Sequence, residues 1–109
     1  MPIIDFHTHI LPPDCICRRG ELCAQDTWFN LLFENPSARL ASAEELVASM
    51  DEAGVDASVA FGFAFADHGL CATCNAYVLE AARLYPGRIL PFLMVNPCAG
   101  DTAIKQTLE

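Results

Sequence analysis

Short apolar runs alternate with segments of helical periodicity along most of the chain, and this alternation restricts the fold more than any other feature. Residues 3–10, "IIDFHTHI", read as a strand. In "SAEELVASMDEAG", Ser42 and Glu45 have capping-box spacing, Leu46, Val47 and Met50 recur on one helical face, and Gly54 closes the end. A β-branched and aromatic run, "VDASVAFGFAF", follows as a second strand. "CATCNAYVLEAARLY" predicts a helix stopped by Pro86-Gly87, and "RILPFLMVNP" a third strand ending at Asn96-Pro97. A last helix opens at "DTAIKQTLE", with Asp101 as its expected N-cap. Strands separated by helices pair in parallel, so the fold class is α/β with parallel strands, covered on both faces. Residues 11–41 interrupt the rhythm. Tandem prolines, three cysteines, "NPS" and one helix-like patch, "DTWFNLLF", read as a long excursion of the first loop.

Composition supports one core and narrows the partners. Of 109 residues, 53% are hydrophobic and 18% charged, which suits a single globular unit. The formal charge of -8, with six Lys and Arg, argues against nucleic acid or an anionic membrane, because nothing here replaces counterions on phosphates. Neither "SVAFGFAFA" nor "ILPFLMV" is long enough to span a bilayer, and no basic region precedes the first apolar run, so a cytoplasmic setting is expected. In that setting the six cysteines are expected as reduced thiols.

The polar residues of "IIDFHTHI" carry the chemistry. In strict alternation Ile4, Phe6, Thr8 and Ile10 pack under the helices, while Ile3, Asp5, His7 and His9 point into the other layer. His7 and His9 lie near the strand's C-terminal end, where parallel α/β folds build their sites. Side chains two apart project the same way with a rise of about 6.6 Å, within reach of one ion. A divalent metal is the economical partner, zinc first and manganese as an alternative, since neutral imidazole is a common ligand. An antiparallel strand with its polar face in water is the competing reading.

"IIDFHTHI", "SAEELVASMDEAGVDASVAFGF" and "NAYVLEAARLYPGRILPFLMVNP" resemble the opening of the amidohydrolase superfamily, in the amidohydrolase-related branch that includes aminocarboxymuconate-semialdehyde decarboxylase. The resemblance implies a (β/α)8 TIM barrel with a metal at its C-terminal mouth, held by two first-strand histidines, a middle-strand histidine and a last-strand aspartate. His7 and His9 match the first pair; the other ligands and the catalytic base have no counterpart here. A full barrel needs about 250 residues. Residues 1–109 are therefore expected to be the N-terminal part of one barrel domain, its first three strand-helix units. The implied activity is that of a metal-dependent hydrolase or non-oxidative decarboxylase acting on a small carboxylated or cyclic substrate. The chain alone is expected to be inactive, and the full-length protein is a candidate homo-oligomer. "DFHTHILP" also resembles the first motif of polymerase-and-histidinol-phosphatase-type phosphoesterases, but "PPDCICRRG" follows it in place of their Asp-Asp-Gly phrase. Deoxyribonuclease-like members share Asp-x-His-x-His but lack the long excursion.

The remaining candidates have more modest readings. Asp5 either orients the histidines from behind or is a buried polar group satisfied by backbone or water. His68 reads as a solvent-exposed loop residue. Phe61, Phe63 and Phe65 read as core, and pocket lining is the alternative. Cys15, Cys17 and Cys23 with Cys71-x-x-Cys74 offer a competing thiolate metal site, although C-x-C-x5-C is not a strong ligand spacing. A truncated product acting only as an interaction piece is the non-enzymatic reading.

Overall fold

A computed structural model describes residues 1–109. Strands β1 (Ile4–His9), β2 (Ala57–Phe61) and β3 (Ile89–Pro91) form one sheet in the order β1-β2-β3, and both pairings are parallel. The connection from β1 to β2 contains helices α1 (Pro13–Cys17), α2 (Arg19–Gln25), α3 (Thr27–Phe33) and α4 (Ala43–Ala53). Helix α5 (His68–Leu84) joins β2 to β3, and α6 (Asp101–Leu108) closes the chain. No helix is long and apolar enough to cross a membrane.

Local chemistry accounts for α4. The Ser42 hydroxyl accepts from the Glu45 amide, the Glu45 carboxylate accepts from the Ser42 amide, and Gly54 ends the helix at φ 73°. The Tyr77 hydroxyl accepts the free Ala43 amide at 2.8 Å, which ties the start of α4 to α5. Two other boundaries differ from expectation. Helix α5 starts three residues before Cys71, because the Asp67 carboxylate caps it by accepting from the Leu70 amide. In α6 Asp101 is already helical, and Gly100, at φ 96°, occupies the cap position.

The expected third strand is cut to three residues. Pro91 has no amide to donate to a ladder. The Phe92 amide still donates to the Ala60 carbonyl at 3.0 Å, and the chain beyond it is held by a side chain instead. The Asn75 amide of α5 donates to the Met94 carbonyl at 2.8 Å and accepts the Met94 amide at 2.9 Å. Strand β2 also ends early, at Phe61. Phe63 and Phe65 turn out of the sheet to meet the rings of Phe29 and Phe33.

Residues 11–41 are largely helical, which corrects the expected loop. Leu11, Cys15, Leu22, Phe29, Phe65 and Cys74 form a buried cluster of their own. Pro13 starts α1, and the buried Asp26 carboxylate caps α3 by accepting from the Phe29 amide. A second cluster, Ile10, Ala43, Ala60, Val78, Ala81 and Ile89, lies between the sheet and helices α4 and α5.

The sheet is covered on one face only, and a bulge decides which residues of β1 lie on which face. Ile4 pairs with Ala57 and Asp5 with Ser58, but Thr8 pairs with Ala60 and His9 with Phe61. One extra residue is therefore inserted in β1 between Asp5 and Thr8. Ser58 and Ala60, both fully buried, face the helices. By register, Asp5 falls on the helix side of the pleat and Ile4 on the open side, the reverse of strict alternation. Ile4 is 54% and Phe6 77% exposed, so neither packs under the helices, whereas Ile10, beyond the bulge, is fully buried.

Ser58 is the one buried side chain whose polar atom lacks a hydrogen-bond partner. An unsatisfied buried hydroxyl costs about 1–3 kcal/mol. Ser58→Ala is expected to raise stability by about 1 kcal/mol, seen as a higher urea midpoint at unchanged slope; a lower midpoint would show that the hydroxyl is satisfied.

Candidate metal centre

The bulge and the end of β2 together determine how the two histidines meet. The Nε2 atoms of His7 and His9 lie 3.2 Å apart, with ring centroids separated by 5.2 Å. The Asp5 carboxylate accepts from the His7 backbone amide at 3.1 Å and so stabilises the bulge that aims the His7 ring. Asp5 bonds to neither ring. At the strand end, Thr8 Oγ1 donates to the Val59 carbonyl and the Ile10 amide to the Phe61 carbonyl, both at 2.8 Å.

His9 is held at its other nitrogen. Its Nδ1 lies 2.8 Å from the Gly62 carbonyl oxygen. A carbonyl only accepts, so Nδ1 carries the hydrogen and Nε2 of the neutral ring presents a lone pair. A backbone carbonyl fixing the far nitrogen is the usual support for a metal-binding imidazole. In the chain as it stands, His7 Nε2–H donates to that lone pair; to bind a cation, His7 must carry its hydrogen on Nδ1. The pair fits a metal by distance as well. With metal–nitrogen bonds of about 2.0–2.1 Å, nitrogens 3.2 Å apart subtend about 100° at the ion, close to tetrahedral.

The pair sits on the open face of the sheet beside aromatic rings. Phe61 lies 5.2 Å from His7 and 5.5 Å from His9, centroid to centroid, and Phe92 packs edge-on against Phe61. A small cavity of about 30 Å³ adjoins His9, lined also by Arg39, Leu40, Phe63 and Gly62. That volume holds about one water. Arg39 is the one charged side chain in it. A larger groove of about 490 Å³ runs between α5 and α6 and includes neither histidine.

No third ligand joins the pair. Nowhere in the chain do three or more His, Cys, Asp or Glu side chains gather as a metal cage. All six cysteines are unpaired. Cys15 and Cys74 meet in the core beneath α5, Cys71 donates to the Met94 carbonyl, and Cys17 and Cys98 are exposed. The competing thiolate site of Cys15, Cys17, Cys23, Cys71 and Cys74 is not assembled in this structure. His68 is half-buried on the first turn of α5, where its Nε2 meets the Gln106 side chain at 3.2 Å, rather than free in a loop. Phe65 is core, as expected, and Phe63 packs against it, whereas Phe61 borders the histidines.

Two residues of the site, Gly62 and Arg39, were not singled out by sequence reasoning. Glycine inside a strand pattern is the signal that points to Gly62; nothing in the sequence marks Arg39. A Cβ on residue 62 would lie 2.7 Å from the Cys74 Cβ, so only glycine lets the end of β2 lie against α5. No family model and no curated protein matches the chain.

Gly62→Ala is expected to destabilise the fold by about 1–3 kcal/mol and, by moving the carbonyl, to weaken zinc binding about tenfold. Gly20→Ala, in open space on α2, should stabilise by about 0.5–1 kcal/mol. Urea unfolding and metal dialysis of the two variants check both, and equal metal affinity in Gly62→Ala would show that the carbonyl does not matter. Burial raises the thiol pKa of Cys15 and Cys71 and pushes that of Cys74 from 9.0 up to about 12. The folded chain thus holds these protons more tightly than the unfolded one. The resulting stability is intact below pH 9.0 and is lost as pH rises toward about 12. Urea midpoints should fall across that window, and Cys74→Ala should flatten the fall.

Proposed function

We propose that the chain is the N-terminal part of a metal-dependent enzyme of the amidohydrolase-related type, and that His7 and His9 hold a divalent cation, zinc or manganese. Its three parallel strands are, in this reading, the first three strand-helix units of a (β/α)8 barrel. The observation that carries the reading is the pair of Nε2 atoms 3.2 Å apart, one of them oriented by the Gly62 carbonyl. The half-covered sheet supports it. In a closed barrel the open face becomes the packed interior, and the free side of β1 pairs with the last strand.

When bound, the cation supplies Lewis acidity toward a water, a carboxylate or a carbonyl. The chain's own residues prepare the site for that chemistry. The Gly62 carbonyl keeps His9 in the tautomer that presents Nε2, and Asp5 fixes the backbone that carries His7. Phe61 packs against both rings, with Phe92 edge-on to Phe61. Arg39, lining the same cavity as His9, offers a planar partner for a substrate carboxylate, which fits a small carboxylated or cyclic substrate. No residue here is positioned to move the proton that hydrolysis or decarboxylation requires, so residues 1–109 alone are expected to show no turnover.

Zinc is expected to bind the metal-free chain, and His7→Ala to weaken that binding at least about tenfold, measured by equilibrium dialysis with metal analysis. Equal metal content in the two proteins ends the reading, as does turnover by the isolated chain. Cobalt in place of zinc should give no thiolate charge-transfer band; such a band would favour the cysteine alternative.

A further inference from the structure

A backbone amide that leaves a sheet without reaching water needs an acceptor elsewhere. Strand β2 ends at Phe61, so the peptide that links Gly62 to Phe63 lies beyond the last ladder residue. Its carbonyl accepts the hydrogen of His9 Nδ1 at 2.8 Å. Its amide, that of Phe63, meets no backbone carbonyl. The acceptor is the sulfur of Cys74, which is fully buried on α5. Thiol sulfur is a weak acceptor in water, and burial strengthens such a bond. The same residue lies against Gly62, where a Cβ would stand 2.7 Å from the Cys74 Cβ. The chain has no cis peptide, and a trans peptide sends its carbonyl and its amide in opposite directions. One rigid plane therefore reaches from the core thiol to the imidazole.

We propose that Cys74 is a positioning residue of the histidine pair: its sulfur anchors the Gly62–Phe63 peptide from behind, and that peptide keeps the hydrogen of His9 on Nδ1 and the lone pair on Nε2. This inference rests on the reading that the lone pair takes a cation, but the support it describes exists without one.

The sulfur does something that packing does not. Contact between Gly62 and the Cys74 Cβ fixes where the strand end lies, yet a peptide plane can turn about the line between its two Cα atoms while both stay in place. A hydrogen bond at the amide stops that turn. Without it the carbonyl leaves Nδ1, and His9 can carry its hydrogen on Nε2, where it blocks an ion. Cys74 thus acts on the site through two hydrogen bonds and a peptide plane, from the core side of β2, without touching the ion.

The test compares three substitutions in a Cys17→Ser/Cys98→Ser background, which removes the exposed thiols that compete for metal. Cys74→Ala keeps the Cβ against Gly62 and removes only the sulfur. Cys74→Ser puts an acceptor back. Cys15→Ala opens a similar gap in the same buried cluster, at a thiol that does not bond the Phe63 amide. Folding is checked by circular dichroism. The readouts are deuterium exchange of the Phe63 amide, ring-nitrogen NMR shifts of His9 in the metal-free chain, and zinc affinity by equilibrium dialysis. In the parent the Phe63 amide should be protected and His9 should carry its hydrogen on Nδ1. Cys74→Ala is expected to speed Phe63 exchange at least about tenfold, to move the His9 hydrogen onto Nε2 in a measurable fraction of molecules, and to weaken zinc binding about tenfold. Cys74→Ser should recover part of each change, and Cys15→Ala should match the parent. An unprotected Phe63 amide in the parent overturns the proposal whether or not any variant folds. So does an unchanged His9 tautomer in Cys74→Ala, a folded Cys74→Ser no better than Cys74→Ala, or an equal tautomer change in Cys15→Ala. A parent that takes up no zinc overturns the metal reading instead, while exchange and tautomer still decide the role of Cys74.

Discussion

The contact on which the site depends is the close approach of Gly62 to Cys74. It brings the end of β2 against α5 with no side chain between them, and it fixes where the Gly62 carbonyl points. That carbonyl sets the hydrogen on His9 Nδ1, and through it the lone pair on Nε2. The other half of the pair is built from the opposite end, by the bulge after Asp5. A packing constraint on one strand and an irregularity on its neighbour thus produce two nitrogens aimed at one point. Neither feature is chemical in itself.

The parts of the fold legible in the sequence are those written in neighbouring residues. Ser42, Glu45 and Gly54 specify both ends of α4 within thirteen positions, and the structure places that helix with the expected caps. Parallel pairing was legible because helices separate the strands, and it is present in both ladders. The convergence of His7 and His9 was legible as a spacing. Their support was not, because Gly62 is 53 residues from His9.

What escaped sequence reasoning depends on partners distant in the chain or on elements too short to show a period. Helices α1, α2 and α3 run five to seven residues each. Their buried positions, Cys15, Leu22 and Phe29, fall one to a helix, so no single window contains a periodic face. The bulge in β1 exists only relative to β2, and it moved Ile4 and Asp5 across the sheet without any local sign. The length of β3 was misjudged because apolar content in 92–95 suggested ladder pairing, while Asn75 claims the Met94 backbone.

Asp26 gives the molecule a property beyond its role as a helix cap. One carboxylate oxygen accepts the Phe29 amide and the other accepts the Ala66 amide, 40 residues away and past the end of β2. The three short helices are thereby fastened to the segment that leads into α5, with the Phe29 and Phe65 rings packed at a tilt beside the fastening. Segments this short have little stability of their own. The insertion therefore does not open as an independent flap; it melts together with the sheet and its helices, as one cooperative unit.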